Sequence, residues 1–317
     1  MKNAVLINIP FYTYNDEIIA SLKRKGYNVF HFSYKPENSS ISKFRFKYSK
    51  AYQKRFIKHH VEFIQKQLKD IEVDVFIFIN PTTFTSDDVN AIFKNHEKAK
   101  KILYLWDAVT TYPQVKNIFS CFDKIYSFDI VDCKEYGFKY RPTFASKELL
   151  EAKIENRPQE YDIFYIASYS KKRYGQLLQL LDICKENELR PFYHLYIKNK
   201  LAYLFFKLQN PKLKKKYVST KLISNKEKLE IISKTRAIFD TPLDTQTGIT
   251  MRVIEGMIMN KKIITTNKHI VDFDFYNDND FFVFSDSLDK NKIRSECKYK
   301  IDPDYYSADS LVEELTK

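Results

Sequence analysis

The sequence predicts an α/β protein made of two consecutive units, each an open parallel β-sheet covered by helices. Three observations lead to this fold class. Apolar runs of strand length alternate with longer segments of helical spacing along most of the chain. This alternation starts again after a polar connection at 151–161. The length of 317 residues also matches two domains of about 150 residues each.

The first unit is predicted from five strand-like runs and the helical segments that separate them. The strands are expected at 4–9, 27–34, 73–80, 101–107 and 123–129. The helices are expected at 16–26, 43–70 and 86–96, with a short one after 107 and another over 131–138. Pro10 marks a turn after the first strand, and Gly26 is suited to end the first helix.

The second unit repeats the pattern with four strand-like runs. They are expected at 162–168, 192–197, 236–242 and 263–267. The helices are expected at 173–187, 226–234, from about Thr250 onward, and at 307–317 with Ser307 or Asp309 as N-cap. Ligands of open α/β sheets bind at the carboxyl ends of the strands, so we expect the site in the cleft between the units.

Cysteine use and hydropathy bound the cellular context. The four cysteines form no CxxC or CxH pair, which argues against a zinc site or a disulfide framework and favours a reducing cytoplasm. The N-terminus lacks the features of a signal peptide, and the longest apolar runs are far shorter than the ~20 residues that span a bilayer. We therefore expect a cytoplasmic protein, either soluble or peripheral at the inner face of the cell membrane.

The net charge of +13 is concentrated in two segments. Residues 43–60 and 198–216 each hold seven Lys/Arg and no acid. In the first segment aromatic residues recur every four positions, which predicts a stripe on one helix: Phe44, Tyr48, Tyr52 and Phe56. Two interpretations stay open: the stripe packs on the core while the lysines are solvated, or both segments dock on an anionic membrane surface. No nucleic-acid-binding motif is present, so nucleic acid is not an expected partner.

The segment 246–267, QTGITMRVIEGMIMNKKIITTN, holds two of the five glycines. A helix that begins near Thr250 after a Gly-containing turn presents unpaired N–H groups and a positive dipole end, which favour a phosphate. Thr247 and Arg252 add further donors, and Glu255 is placed to accept from two ribose hydroxyls. On pattern alone, an ordinary N-capped helix with an apolar core face is the favoured interpretation.

The same segment closely resembles the C-terminal donor-site block of bacterial capsule and lipopolysaccharide biosynthesis glycosyltransferases with the GT-B fold. Four further segments resemble this group in the expected order: YLWDAVTTYP (104–113), FDKIYSFDIVDCKEYGF (122–138), DIFYIASYSKKRY (162–174) and IVDFDFYNDNDFFVF (270–284). In the first hundred residues only the topology carries the resemblance. It implies two Rossmann-like domains facing each other across a cleft. Residues 1–155 would bind the acceptor and 156–317 the nucleotide sugar, with the last helix packing back on the first domain.

The resemblance implies a glycosyltransferase whose nucleotide-sugar donor is held mainly by the second domain, with a saccharide or lipid-linked molecule as acceptor. The residues implied at the donor diphosphate are Thr247, Gly248 and Thr250, and Gln246 is implied in the same donor site. Ser168 and Tyr169 would face the same phosphates from the first strand of that domain, with Arg173 close by. Glu255 is implied at the ribose, and Arg252 either at the diphosphate or beside Glu255.

In related retaining enzymes an E-x7-E motif spans this block. Glu255 matches its second glutamate, whereas Thr247 stands in place of the first, so the stereochemistry of transfer stays open. The alternatives are a transferase on the same fold that uses a CMP-activated sugar or moves a phosphate-linked group, and a non-catalytic basic module that binds membranes or nucleic acid.

No metal and no cofactor besides the donor are expected. Transferases of this fold usually stabilise the leaving group with a helix dipole and basic residues. The pairs Asp272/Asp274 and Asp278/Asp280 have DxD spacing, but FDFYNDND is typical of a surface turn.

Two aspartates are candidates for the base that takes the proton of the acceptor hydroxyl in an inverting transferase. Asp107 ends the strand 101–107 and is the first candidate, and Asp129, which ends 123–129, is the second. Both also fit an N-cap role before the segment that follows, an equal alternative for Asp107 and the favoured one for Asp129. The six histidines form no Ser/His/Asp arrangement, so a hydrolase triad is not expected.

Overall fold

A computed structural model describes residues 1–9, 14–36, 39–152 and 158–317. The chain divides into two compact units. The first unit consists of Met1–Lys147, Thr245–Gly248 and Asp304–Lys317, and the second of Glu148–Asp244 and Ile249–Pro303. The turn expected around Pro10 and the domain boundary expected at 155/156 lie outside the described residues.

The first unit is built on a six-stranded parallel sheet. Its strands are β1 (Lys2–Asn8), β2 (Tyr27–Ser33), β3 (Val75–Ile79), β4 (Lys100–Leu105), β5 (Lys124–Ser127) and β6 (Lys139–Tyr140). They lie in the order β2-β1-β3-β4-β5-β6. The helices up to the second unit are α1 (Tyr14–Arg24), α2 (Ser40–Tyr48), α3 (Lys50–Leu68), α4 (Ser86–Phe93), α5 (Ile130–Tyr136) and α6 (Lys147–Leu150), with a 3₁₀ helix at Pro113–Cys121.

The second unit contains another six-stranded parallel sheet. Its strands are β7 (Tyr161–Ser168), β8 (Pro191–Tyr196), β9 (Val218–Ser219), β10 (Thr235–Asp240), β11 (Lys262–Thr265) and β12 (Phe281–Val283). They lie in the order β12-β11-β10-β7-β8-β9. Its helices are α7 (Lys171–Glu186), α8 (Lys200–Gln209), α9 (Asn225–Ser233), α10 (Met251–Ile258) and α11 (Lys290–Arg294). The last helix, α12 (Ala308–Thr316), belongs to the first unit.

Strand β3 shows why its sequence, VFIFI, is apolar throughout. Phe76 and Phe78 enter one hydrophobic core, which includes residues of α3 and α4. Val75, Ile77 and Ile79 enter another, which includes residues of α1 and α12. A parallel strand covered on both faces has no solvent side, so every position is apolar.

The predicted strands are all confirmed, and Gly26 ends α1 with a φ of +83°. Strands β6, β9 and β12 and helices α6, α8 and α11 were not predicted. The single helix expected over 43–70 is wrong, because Ser49 divides it. The backbone N–H of Ser49 donates to the Arg45 carbonyl (2.8 Å), and its hydroxyl accepts from the backbone N–H of Tyr52 (3.3 Å). Ser49 thus ends α2 and caps α3.

This break also divides the expected aromatic stripe. Phe44 and Tyr48, on α2, are each 65% exposed. Tyr52 and Phe56, on α3, pack at the edge of the first core, and the buried aromatic residue of α2 is Phe46. The four residues therefore do not form one face of a single helix. Among the helices in the described ranges, none is both long and apolar enough to cross a membrane.

Candidate functional site

The strand order of the second sheet reverses between β7 and β10, the arrangement of dinucleotide-binding folds. Ser168 ends β7 and Asp240 ends β10, so both lie at the carboxyl edge where such sheets bind ligands. Six of the predicted donor residues lie at the end of β7 or after these two strands within the second unit: Ser168, Tyr169, Arg173, Thr250, Arg252 and Glu255.

Arg173 joins the segments that follow β7 and β10. Its guanidinium donates two hydrogen bonds to the Thr241 carbonyl, from Nε (3.2 Å) and Nη2 (3.0 Å). The hydroxyls of Tyr165 and Thr241 are 3.2 Å apart. Ser170 caps α7 by accepting from the backbone N–H of Arg173 (3.1 Å). These contacts fix a charged guanidinium at the sheet edge.

Asp240 is a buried carboxylate at the end of β10. It accepts from the hydroxyls of Thr250 (2.8 Å) and Thr265 (3.1 Å). Burial raises the pKa of Asp240, and the two hydroxyls and the guanidinium groups of Arg252 and Arg173 oppose the rise. Thr250 is also the N-cap of α10, as its hydroxyl accepts from the backbone N–H of the third helical residue (3.3 Å). Asp240 therefore fixes the start of α10.

Glu255 is buried on α10 and has two cationic partners. Its Oε1 accepts from Lys228 Nζ of α9 (2.5 Å), and its Oε2 pairs with the Arg252 guanidinium. The Arg252 guanidinium also lies 5.6 Å from the centre of the Phe164 ring. The Arg252–Glu255 contact agrees with the second of the two roles expected for Arg252, a position beside Glu255. A ribose bound at Glu255 would share the carboxylate with these cations.

Tyr169 lies apart from this charged cluster. Its ring packs against Phe206 of α8, with centroids 4.7 Å apart, and its hydroxyl accepts from Asn210 Nδ2 (3.3 Å). Ser168 is exposed, and its carbonyl accepts a long contact from Arg173 (3.5 Å). Of the three residues expected after β7, Arg173 is the one fixed beside the β10 segment.

The remaining predicted donor residues belong to the first unit. Although Thr245–Gly248 follows β10 in sequence, it packs with the first sheet. The Asp129 carboxylate accepts from the Thr247 backbone N–H (2.6 Å), the Thr247 hydroxyl (2.5 Å) and the Gly248 N–H (3.3 Å). The donors expected to bind a phosphate at Thr247 and Gly248 are therefore occupied by an internal carboxylate of the first unit.

Gly248 is required by this close packing. A Cβ at this position would lie 2.1 Å from the Phe128 carbonyl oxygen, a distance that no side chain tolerates. Asp129 itself caps α5, since it also accepts from the backbone N–H groups of Val131 (3.1 Å) and Asp132 (3.2 Å). The capping alternative for Asp129 is therefore present in the structure, and its buried carboxylate is occupied by several donors.

Asp107 follows β4 and is held by two amides. Asn80 Nδ2 donates to Oδ2 (2.7 Å), and Gln246 Nε2 donates to Oδ1 (3.1 Å). Burial raises the pKa of Asp107, while the Lys35 ammonium and these two amides oppose the rise. A carboxylate held in this way is positioned and is more basic than an ordinary one.

The N-cap alternative for Asp107 is wrong. The next helix begins only at Pro113, and its N-cap position is Tyr112. The carboxylate that binds the nearby backbone is instead Asp132, which accepts from the Val109 N–H (2.7 Å).

The surface turn expected for FDFYNDND is also wrong at Asp280. This residue is fully buried and pairs with Lys262 (2.8 Å). It also accepts from the backbone N–H groups of Lys298 (2.7 Å) and Tyr299 (2.9 Å). Asp280 therefore has a structural role at the start of β12.

Three residues that contact these groups were not predicted from the sequence: Asn80, Asp240 and Lys228. Asn80 and Asp240 are polar residues at the ends of predicted strands, a signal that was available. Lys228 lies on a predicted helix among other charged residues, and its pairing with Glu255 has no local signal.

Comparison with known proteins gives information on the fold. No protein-family profile and no curated protein matches the sequence. Among solved structures, UDP-GlcNAc 2-epimerase from Methanocaldococcus jannaschii is similar at 11% identity and a TM-score of 0.57, over 100% of this chain and 99% of that chain. A glycosyltransferase from Rickettsia africae ESF-5 is 13% identical with a TM-score of 0.55, over 99% and 87% of the two chains.

The catalytic domain of starch synthase IV from Arabidopsis thaliana, bound to ADP and acarbose, is 9% identical with a TM-score of 0.56 over 99% and 98% of the chains. At these identities, the similarity establishes the fold alone. The chain has the GT-B fold of two Rossmann-like domains, which confirms the predicted fold class.

Proposed function

We propose that the protein is a glycosyltransferase that moves a sugar from a nucleotide-sugar donor to a saccharide or lipid-linked acceptor in capsule or lipopolysaccharide assembly. One observation carries this proposal. Arg173 and Arg252 both lie within electrostatic range of Asp240, at the strand reversal of the second sheet. Two guanidinium groups beside a helix start are suited to a diphosphate. Similar folds in a glycosyltransferase and in an enzyme bound to ADP support the assignment.

In this proposal the donor binds to the second domain. Arg173, Arg252 and the N-terminus of α10 stabilise the charge that develops on the departing nucleoside diphosphate. Glu255 accepts from the ribose hydroxyls. Lys228 and Arg252 hold this carboxylate in a fixed orientation before the donor arrives.

Asp107 is proposed as the base. It takes the proton of the acceptor hydroxyl as that oxygen bonds to the anomeric carbon and the bond to the diphosphate breaks. Asn80 and Gln246 hold the carboxylate, and burial raises its pKa, which makes it a stronger proton acceptor. This role belongs to an inverting reaction, so the anomeric configuration of the product, read by NMR, tests it.

The leaving group is proposed to need no divalent metal, because guanidinium groups and a helix dipole carry out the same stabilisation. Turnover should therefore persist in EDTA. Loss of activity on chelation, with recovery on adding Mg²⁺ or Mn²⁺, would contradict this part.

A peripheral position at the cytoplasmic face of the membrane completes the proposal. Helix α8 has two apolar faces, and one of them packs on the second core through Tyr203 and Phe206. The other faces solvent, with exposed fractions between 56% and 82%: Leu201, Leu204, Phe205 and Leu208. The basic segment 198–216 surrounds this stripe, so the surface is complementary to anionic lipid.

A thermal-shift screen with UDP, GDP, ADP and CMP tests the donor assignment, because a ligand that binds the folded state raises the melting temperature. We expect stabilisation by one nucleoside diphosphate. A response to CMP alone would favour the transferase that uses a CMP-activated sugar. Consumption of the nucleotide sugar without any acceptor would favour hydrolysis or epimerisation. No response to any nucleotide, together with tight RNA binding, would favour the non-catalytic module.

A further inference from the structure

We propose that a cavity in the first unit binds the acceptor through an anionic group on it, a phosphate or a carboxylate, which Lys35, Lys43 and Lys47 neutralise. The inference rests on the proposed glycosyltransferase function, because it names the acceptor class of that reaction. The acceptor class is inferred from the residues that line the cavity.

The cavity lies at the carboxyl edge of the first sheet and has a volume of about 590 Å³. Ile9 follows β1, Ser33 ends β2, and Thr82 and Thr83 follow β3, and all four line it. The strand order of this sheet reverses between β1 and β3, the place where open α/β sheets bind ligands. The volume falls in the range of small-molecule sites.

The charge on the walls has one sign. Lys35, Lys43 and Lys47 line the cavity, and no carboxylate is among its lining residues. Within the described ranges, none of the three ammonium groups forms an ion pair. Lys43 and Lys47 are one turn apart on α2, a spacing at which like charges weaken a helix. An anion bound to both would relieve that repulsion.

The neutral part of the wall suits a sugar. The Thr83 hydroxyl is buried and has no hydrogen-bond partner among the described residues. A buried unpaired hydroxyl is costly, and the hydroxyl of a bound sugar would satisfy it. Tyr112 and Phe46 add aromatic surface, and Gln114 donates to the Thr82 carbonyl (3.2 Å).

The cavity is linked to the proposed base. Asn80 directly follows β3 with its backbone in the left-handed region (φ +48°), and its side-chain amide donates to the Asp107 carboxylate (2.7 Å). Thr82 and Thr83 follow two and three residues later. Burial lowers the pKa of Lys35, and the charge of Asp107 opposes the shift, so Lys35 lies within electrostatic range of that carboxylate. An acceptor anchored by the lysines would thus have its reacting hydroxyl near Asp107.

The test compares glucose 6-phosphate, glucuronic acid and glucose as probes of the full chain, by NMR titration. We expect the anionic sugars to bind at least about tenfold more tightly than glucose, because charge-assisted hydrogen bonds are the stronger ones. Whichever of phosphate and carboxylate binds better identifies the anion. Equal binding of glucose, or no binding of either anionic sugar at millimolar concentration, overturns the proposal.

The double variant Lys43→Ala/Lys47→Ala should lose at least about tenfold in affinity for the anionic sugar and keep the stabilisation by nucleotide. The matched control is Lys54→Ala/Lys58→Ala, which removes two exposed lysines at the same spacing on α3, outside the cavity. An equal loss of affinity in both variants would mean that the effect comes from net charge alone, and it would overturn the proposal that the cavity binds the anion.

These outcomes separate the inference from the function on which it rests. If the protein binds a nucleotide but shows no preference for anionic sugars, the acceptor cavity is wrong and the proposed transferase function stands. Binding of anionic sugar that depends on Lys43 and Lys47, without binding of any nucleotide, removes the transferase and keeps the cavity.

Discussion

The two sheets carry different charges at the edges where their strand orders reverse. At the β1/β3 edge, three lysines without ion pairs in the described ranges line a cavity, and Asp107 is held by neutral amides. At the β7/β10 edge, Arg252 is paired with the buried Glu255, and Arg173 is bound to a backbone carbonyl. Similar sheets can therefore present either unpaired cations or cations already fixed in place. The first suits capture of an anion, and the second suits a fixed binding geometry.

The largest effect is expected from Asp107→Asn, which removes the proposed base at the first edge. The turnover number should fall about 10²–10⁴-fold, the usual contribution of general base catalysis. Stabilisation by the nucleoside diphosphate should not change, because the donor residues of the second edge are intact. Steady-state kinetics and thermal shift measure the two effects, and turnover at the level of the natural protein would remove Asp107 as base.

Glu255→Gln should act on the second edge instead. Donor affinity should fall about tenfold, as a carboxylate that accepts from two hydroxyls is replaced by an amide with one acceptor. The acceptor KM should stay the same. Breaking a buried ion pair also destabilises the fold, so donor affinity is measured by calorimetry well below the melting temperature. Glu230→Gln, an exposed change on α9, is the control. Unchanged donor affinity would remove the ribose assignment.

Helix α8, which packs against Tyr169 beside the second edge, gives the next effect. Leu204→Glu/Phe205→Glu should weaken binding to vesicles that contain anionic phosphatidylglycerol by about tenfold, since apolar burial and charge attraction are both reduced. Turnover of a water-soluble acceptor should not change. Leu222→Glu, at an isolated exposed leucine, is the control. If the natural protein fails to sediment with these vesicles, the docking surface is wrong.

The smallest effect concerns the buried Asp132 of the first unit. Burial raises its pKa to about 6, with the Val109 N–H opposing and Asp129 adding to the rise. Because the folded pKa exceeds the unfolded value of about 3.9, this stabilising contribution is complete below about pH 4 and is lost as the pH rises through 6. Asp132→Asn should therefore gain about 1–2 kcal/mol at pH 8 and much less at pH 4.5, as measured by urea unfolding. Asp182→Asn, at an exposed aspartate on α7, is the matched control.

The sequence was sufficient for the longer strands, because strands buried on both faces appear as continuous apolar runs. It was not sufficient for β6, β9 and β12, which have only two or three residues each and so give no such run. Nor was it sufficient for the break at Ser49, since a serine inside a helical pattern gives no sign that it caps a second helix. The location of Thr245–Gly248 was missed for a different reason. The segment is fixed by Asp129, more than a hundred positions earlier, and local patterns contain no information about such a contact. The ion pair between Lys228 and Glu255 was not predicted for the same reason, because its two residues are far apart in the sequence.

Helix α12 has a consequence for the order in which the protein is made. Leu311, Val312 and Leu315 complete a core of the first unit together with α1 and β3, yet they follow the whole second unit in the chain. Domains usually fold during synthesis as each emerges from the ribosome. Here the domain that emerges first lacks part of its core until the second domain has been translated. The first domain therefore completes this core only after the second domain has been synthesised.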